Sequence, residues 1–171
     1  MLRFQINLHV KDKAVLEVIK NSLRVGQIYK SGPELIQLRV QSLQKLETVI
    51  NHFQKFPLIT KKRADFDLLK KVFILIKNKE HLTPEGLRKI VALRASMNLG
   101  LSDKLKVAFP DVVPVVRPRV ETPKAIDPHW LAGFTSAEGC FMIKITERKS
   151  YLIDYTVFLV YQLAQHSLMA N

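Results

Sequence analysis

Hydrophobic and polar side chains alternate at the start of the chain, over residues 2–9. A period of two predicts a β-strand with one buried face. The apolar spacing then changes to that of a helix, which places Val15, Ile19 and Leu23 on one face. Asp12 precedes this segment and is a residue type that caps helices, so we expect the helix to begin there.

A hairpin is predicted next. Segments 26–30 and 35–41 flank Ser31-Gly32-Pro33, and this turn signal between two apolar-rich runs is typical of antiparallel strands joined by a tight connection.

Helical spacing returns after the hairpin. Ser42 is placed to cap a helix whose apolar stripe is Leu43, Leu46, Val49, Ile50 and Phe53. Beyond the break at Pro57, a second helix is predicted over 61–77. A third begins at Thr83-Pro84-Glu85, where a cap, a proline and an acid follow one another, and it is expected to reach about Met97. A short helix should follow Ser102.

Residues 102–126 have a different character and are predicted to be a linker. Prolines are frequent from Phe109 onward, and a chain rich in proline is extended and fairly stiff. The segment is also basic, through Arg117, Arg119 and Lys124.

Asp127-Pro128 opens another helix by the same cap-and-proline pattern. Strands are predicted over 140–147 and 151–165. In the first of them Cys140, Met142, Lys144 and Thr146 share one face, and Phe141, Ile143 and Ile145 share the other.

The two ends of the chain resemble each other. Residues 2–9 read LRFQINLH and residues 159–166 read LVYQLAQH, so Leu, an aromatic residue, Gln and His align. This match predicts an internal repeat, with the chain beginning in the middle of one copy and ending at the corresponding point of the next.

Charge narrows the class of partner. Lys and Arg number 27 against 15 acidic residues, a net charge of +12, and the pI is near 9.9. Such a surplus favours a polyanionic partner, nucleic acid above all, with an inert basic surface as the alternative. No window approaches the roughly 18 apolar residues of a spanning helix, so no membrane partner is expected. The single cysteine, Cys140, excludes an internal disulfide and a multi-cysteine zinc site.

Residues 130–141, WLAGFTSAEGCF, predict a helix of small residues that ends on an acid and a glycine. Gly133 and Ala137 share a face, as do Ala132 and Ser136, and small faces let a partner helix approach closely. Glu138 lies in the last turn, where the helix dipole disfavours a carboxylate. A neighbouring cation would explain the acid; a surface glutamate paired with a lysine is the alternative.

These segments together resemble one family. The motif LAGFTSAEGCF is similar to the signature of LAGLIDADG homing endonucleases. The segments RFQINLH, RVQSLQKLETVINHF, FPLITKKRADF and LIKNKEHLTPEGLRKIVALRASMNLGLS resemble its two-repeat, single-chain branch of the I-OnuI type. The resemblance covers nearly the whole chain.

The resemblance implies an α+β fold of αββαββα repeats with antiparallel DNA-binding sheets, incomplete in this chain. Residues 1–101 would be the C-terminal part of the first repeat, 102–126 the inter-repeat linker, and 127–171 the motif helix and first hairpin of the second repeat.

Site residues follow by position. The resemblance implies that Glu138 ligates a divalent metal, Mg²⁺ by family practice, and that Lys61 and Lys62 lie near the cleavage centre. Gly133, Ala137, Ala132 and Ser136 would form the interface between motif helices. The implied DNA-binding residues are Lys30, Gln37, Arg39, Gln41, Lys144, Thr146, Arg148 and Lys149.

The implied function is metal-dependent, site-specific hydrolysis of both strands of a long duplex DNA target. The family's active sites use one acid from each of two motif helices, and this chain has only Glu138, so it is expected to be inactive without a complementing fragment or a second copy. An intron maturase that binds RNA and an inactive gene remnant are the alternatives. Family members are usually intron-encoded in organelles, which implies a mitochondrial location.

Overall fold

The computed structural model describes residues 2–121, 123–149 and 154–163, and the chain divides into two compact units, Met1–Thr122 and Pro123–Asn171. Within the described residues, none of the helices is long and apolar enough to cross a membrane.

The first unit contains a three-stranded antiparallel sheet. Its strands are β1 (Phe4–His9), β2 (Gln27–Lys30) and β3 (Leu35–Val40), in the order β1-β3-β2. The predicted strand and hairpin are therefore confirmed. Strand β3 is central, and its residues 36, 38 and 40 turn buried side chains to the inner face of the sheet.

Helix α1 (Lys13–Leu23) packs on this inner face through Leu16, which is fully buried with Leu38. The expectation that Val15 lies on the packing face is wrong, because its side chain is 50% exposed. The apolar face is instead made by Leu16, Ile19 and Leu23, which keep helical spacing from a start one residue later.

The predicted cap of α1 is also wrong. Asp12 makes no side-chain capping bond, because residues 10–12 form a short 3₁₀ turn ahead of the helix. The imidazole of His9 caps that turn instead, accepting a hydrogen bond from the backbone N–H of Lys11 at 3.1 Å.

Helices α2 (Leu43–Lys55) and α3 (Lys62–Lys77) build a second part of the core. Ser42 caps α2 as predicted, accepting from the backbone N–H of Lys45. The cluster joins the two helices to β3 and contains Val40, Leu46, Val49, Ile50, Phe66 and Phe73.

Helix α4 (Pro84–Ala95) packs on α3 through a third cluster, Leu68, Val72 and Leu93, and α5 (Asp103–Ala108) follows it. Thr83 caps α4 as predicted, since its hydroxyl accepts from the backbone N–H of Gly86 at 3.0 Å. A Cβ on Gly86 would overlap the backbone carbonyl of Glu80, so only glycine allows the preceding turn to close against the helix.

We predict that Gly86→Ala lowers the free energy of unfolding by about 1–3 kcal/mol, because the new methyl group would displace backbone rather than a flexible side chain. Urea unfolding followed by circular dichroism measures the change. Gly32→Ala is the matched control, since a Cβ there would lie 3.7 Å from its nearest neighbour, at Leu35. Equal stability of the two variants would contradict the prediction.

The second unit consists of α6 (Pro128–Glu138) and the strands β4 (Gly139–Glu147) and β5 (Tyr155–Leu163), which pair antiparallel. Asp127 caps α6 as predicted, accepting from the backbone N–H groups of His129 and Trp130. The second strand was predicted over 151–165, of which residues 151–153 and 164–165 lie outside the described residues.

Candidate nucleic-acid interface and acidic motif

The outer face of the three-stranded sheet is polar. Because directly paired residues of an antiparallel sheet share a face, the pairs Gln5–Arg39, Asn7–Gln37, Gln27–Arg39 and Tyr29–Gln37 lie together on the side away from Leu38. We call this set, Gln5, Asn7, Gln27, Tyr29, Gln37 and Arg39, the polar face.

A hydrogen-bond chain crosses the polar face. The Gln37 amide nitrogen donates to Oδ1 of Asn7 at 2.7 Å. The Gln37 carbonyl oxygen accepts from Nε of Arg39 at 2.8 Å and also from Nη2 of Arg39. Arg39 lies over the ring of Tyr29, with Cζ 5.0 Å from the ring centroid. Of the DNA-binding candidates on this hairpin, Gln37 and Arg39 are therefore in direct contact.

Lys30 lies elsewhere. It pairs with Ile36, so the register places it on the side of Ile28 and the core, at the exposed end of β2. Gln41 follows β3 and, with its amide oxygen turned toward Arg3, accepts from Nε and Nη2 of Arg3 at 3.1 Å. Gln41 thus repeats on a second arginine the contact that Gln37 makes with Arg39.

The sequence-based candidates omitted Gln5, Asn7, Gln27 and Tyr29. The alternation in residues 2–9 contained the signal for the first two, because it places Gln5 and Asn7 opposite Phe4 and Ile6. Gln27 and Tyr29 are assigned to the face only by their pairing with β3.

Lys61 and Lys62 lie at the N-terminal end of α3, and both side chains are exposed. The backbone carbonyl of Lys61 accepts a hydrogen bond from the proline-rich segment. Arg117 donates to the Asp65 carboxylate at 2.8 Å, to the Ser96 carbonyl at 2.7 Å and to the Lys61 carbonyl at 3.3 Å. The hydrogen bond to Asp65 raises the pKa of Arg117 above its ordinary value.

Neighbouring contacts fix the same segment to the first unit. Val115 packs against the cluster of Leu68 and Val72, and its backbone N–H donates to the Ala92 carbonyl at 3.3 Å. Arg88 pairs with Asp111, which lowers the pKa of that carboxyl. Residues 111–117 are therefore a strap along α3 and α4.

We predict that Arg117→Ala lowers the free energy of unfolding by about 1 kcal/mol, since it removes a partly exposed, charge-assisted cluster of hydrogen bonds. It should also speed protease cleavage within residues 111–117. Arg119→Ala removes the same charge from an exposed position and is the matched control. The strap is refuted if both variants are cleaved at the wild-type rate.

The acidic motif lies where α6 becomes β4 without a loop. Glu138 is the last residue of the helix and is exposed; Gly139 is the first of the strand. The Gly139 N–H donates to the Thr135 carbonyl, and a Cβ on Gly139 would lie 2.5 Å from that oxygen. Glycine is thus required at 139, and the tight junction fixes the backbone from which Glu138 projects.

The described residues contain no group of three acidic, histidine or cysteine side chains that could hold a metal ion, so Glu138 does not belong to such a cluster there. No salt bridge among the described residues involves Glu138 either, so the proposed pairing with a lysine does not occur there. A single exposed carboxylate can serve as one ligand of a cation such as Mg²⁺, which takes one or two carboxylates together with substrate phosphates.

The small side chains of α6 are exposed. No neighbour lies within 4 Å of a Cβ placed on Gly133. Ala132, Ser136 and Ala137 are exposed, and the Ser136 hydroxyl donates to the Ala132 carbonyl at 2.8 Å, inside the helix. The surface proposed for helix packing is therefore shaped for a close partner and uncovered in the described residues.

Residues of β4 alternate between two faces of the hairpin, as predicted. Lys144 and Thr146 share one face, where Lys144 pairs with Phe158 and Thr146 with Thr156, so this face carries apolar as well as polar side chains. The other face is apolar and exposed within the described residues: Phe141 is 76% exposed and Leu159 is 82% exposed. Arg148 and Lys149 follow β4 in the connection, where the Arg148 N–H donates to the Asp154 carbonyl.

Comparison with known proteins identifies relatives of this chain. A model of the family described as LAGLIDADG endonuclease matches residues 1–73 and 131–170. "Probable intron-encoded endonuclease 3" of Neurospora crassa is 40% identical over 166 residues, and "Probable intron-encoded endonuclease 2" of the same fungus is 37% identical over 163 residues.

Solved structures of LAGLIDADG nucleases are also similar to this chain. The LAGLIDADG meganuclease I-AabMI bound to uncleaved DNA is 50% identical with a TM-score of 0.87, and the homing endonuclease I-SmaMI bound to cleaved DNA is 40% identical with a TM-score of 0.89. Each match covers 96% of this chain. The expected α+β fold with antiparallel sheets is confirmed.

The chain is shorter than these relatives. It spans 31% and 36% of the two fungal proteins, and 57% of I-AabMI and 55% of I-SmaMI.

Proposed function

The chain belongs to the LAGLIDADG endonuclease family, and we propose that it forms part of a site-specific endonuclease that hydrolyses both strands of a long duplex DNA target. The polar face is the observation that carries this proposal. Its donors and acceptors lie on the outer side of antiparallel strands, and the major groove is wide enough to admit a β-ribbon. The net charge of +12 favours the same partner, because Lys and Arg release counterions from phosphates.

Glu138 is the proposed metal ligand. Its side chain projects from a helix-to-strand junction whose backbone is fixed by the Gly139 N–H bond to the Thr135 carbonyl. A bound Mg²⁺ would lower the pKa of water and stabilise the leaving oxygen. The protein's own contribution is to hold that carboxylate and to bind the DNA backbone with basic side chains.

A second acid is needed, and we propose that it comes from another motif helix, in a complementing segment or a second copy of the chain. The open Gly133 surface supports this, since a Cβ-free position with no neighbour is suited to close helix contact. The exposed apolar face of the hairpin supports it as well, because apolar patches of this kind mark packing surfaces.

We predict that Glu138→Gln abolishes cleavage while DNA binding is kept, because the amide retains the shape of the side chain but loses the negative charge that holds a cation. The chain, expressed with any coding sequence that precedes it in frame, is mixed with duplex DNA selected from a randomised pool. Nicking and double-strand breaks are then measured with Mg²⁺ and with EDTA.

Glu147→Gln is the control, since it neutralises an exposed glutamate on β4 outside the motif. Cleavage that continues at the wild-type rate in Glu138→Gln would refute the assignment. Support of intron splicing that survives Glu138→Gln would favour the maturase alternative.

Lys61 and Lys62 are proposed to offset charge that develops on the phosphate, because both residues are exposed at the start of α3. We predict that Lys61→Met with Lys62→Met lowers the cleavage rate by roughly 10²-fold, the usual effect of removing one electrostatic stabiliser, and weakens binding much less. Lys45→Met, at an exposed position of α2, controls for charge. Single-turnover cleavage separates the two effects, and equal losses in the double variant and in Lys45→Met would contradict a catalytic role.

We also propose an organellar, mitochondrial origin. The support is the naming of a relative that is 41% identical over 73 residues, an uncharacterized protein in ND4 intron 1 of Podospora anserina.

A further inference from the structure

Arg39 presents one edge of its guanidinium to Gln37. The Gln37 carbonyl oxygen accepts from Nε and Nη2, which is a side-on contact and uses two of the five N–H donors of the group. The end-on edge, with one N–H from Nη1 and one from Nη2, meets no acceptor among the described residues.

Gln37 has little capacity left for a base. Its side chain is 5% exposed, its nitrogen donates to Asn7, and its oxygen is occupied twice by Arg39. Arginine has only donors, so the atom of Gln37 that faces it must be the oxygen, and the orientation of the amide follows. Gln37 is buried because Tyr29 and Asn7 flank it on the two neighbouring strands.

We propose that Arg39 reads a guanine in the major groove through its end-on edge, and that Gln37 and Tyr29 are positioning residues that hold this edge outward. The inference rests on the proposed function, in which the polar face binds duplex DNA. Guanine offers two acceptors, O6 and N7, at the spacing of the end-on edge, whereas adenine places a donor where O6 would be.

Contact of Arg39 with a base is favoured over contact with a phosphate, because the Arg39 side chain is ordered before DNA binds. The cation–π contact with Tyr29 and the side-on contact with Gln37 restrict the torsions of Arg39, so less side-chain entropy is lost when the bidentate pair forms. A phosphate contact requires no such fixed orientation, since charge alone supplies most of its attraction.

The first experiment uses the free protein. The Arg39 Nε–H resonance, observed in ¹⁵N-labelled protein, should exchange slowly with water in the wild type and rapidly in Gln37→Leu, which removes the acceptor. Gln37→Glu keeps an acceptor oxygen and should restore slow exchange. Thermal unfolding of each variant confirms that it is folded. Equal exchange rates in wild type and Gln37→Leu would overturn the positioning role.

The second experiment selects bound sequences from a randomised duplex pool. We expect one position at which guanine is preferred about 5- to 150-fold in the wild type. Arg39→Lys should relax that position and leave the others unchanged, and Gln37→Leu should shift it in the same direction, with rescue in Gln37→Glu. Arg24→Lys, at the C-terminal end of α1, is the control for charge.

Other outcomes exclude the proposal. A uniform loss of affinity in Arg39→Lys, with an unchanged consensus, would assign Arg39 to a phosphate. Failure of the wild type to enrich any sequence would remove the proposed DNA binding, and with it guanine reading, while the exchange measurement would still show whether Gln37 holds Arg39.

Discussion

The alternation of side chains along β3 is the constraint on which the first unit depends. Leu38 is fully buried against Leu16, and Ile36 and Val40 enter the core beside it. A slip of one residue would turn all three outward and bring Gln37 and Arg39 into the core, so burial fixes the register. Since β1 and β2 both pair with β3, the order of every residue on the polar face follows from it.

A second constraint fixes the side-chain geometry of the polar face: the buried amide of Gln37 needs hydrogen-bond partners. A buried polar group without partners costs about 1–3 kcal/mol, so Gln37 is tolerated at the centre of the sheet only because Asn7 and Arg39 complete its hydrogen bonds. A network of this kind holds each member in one geometry. The polar face is thus anchored to the core beneath it, and its arginine is oriented by residues that need not touch DNA themselves.

Sequence patterns predicted the helices, the hairpin and the motif junction because those features depend on local spacing and caps. They were less successful where pairing or packing between residues distant in the chain determines the structure. Alternation places Lys30 and Tyr29 on opposite sides of the sheet, but only the pairing of β2 with β3 shows which side faces the core. The burial of Gln37 depends on side chains from two other strands. Asp12 does not cap α1 through its side chain, because a short 3₁₀ turn capped by His9 precedes the helix.

The two units differ in how much internal packing holds their candidate site residues in place. Three buried clusters hold the first unit, so the polar face is ready before any partner binds. The second unit is one helix on a two-stranded hairpin, and an isolated hairpin is only marginally stable. Its exposed Phe141 and Leu159 need a covering surface. In the proposed assembly, the packing that covers the hairpin would also fix the helix from which the Glu138 carboxylate projects. The proposed DNA recognition by the polar face would not share this dependence, so binding would be retained under conditions in which cleavage is lost.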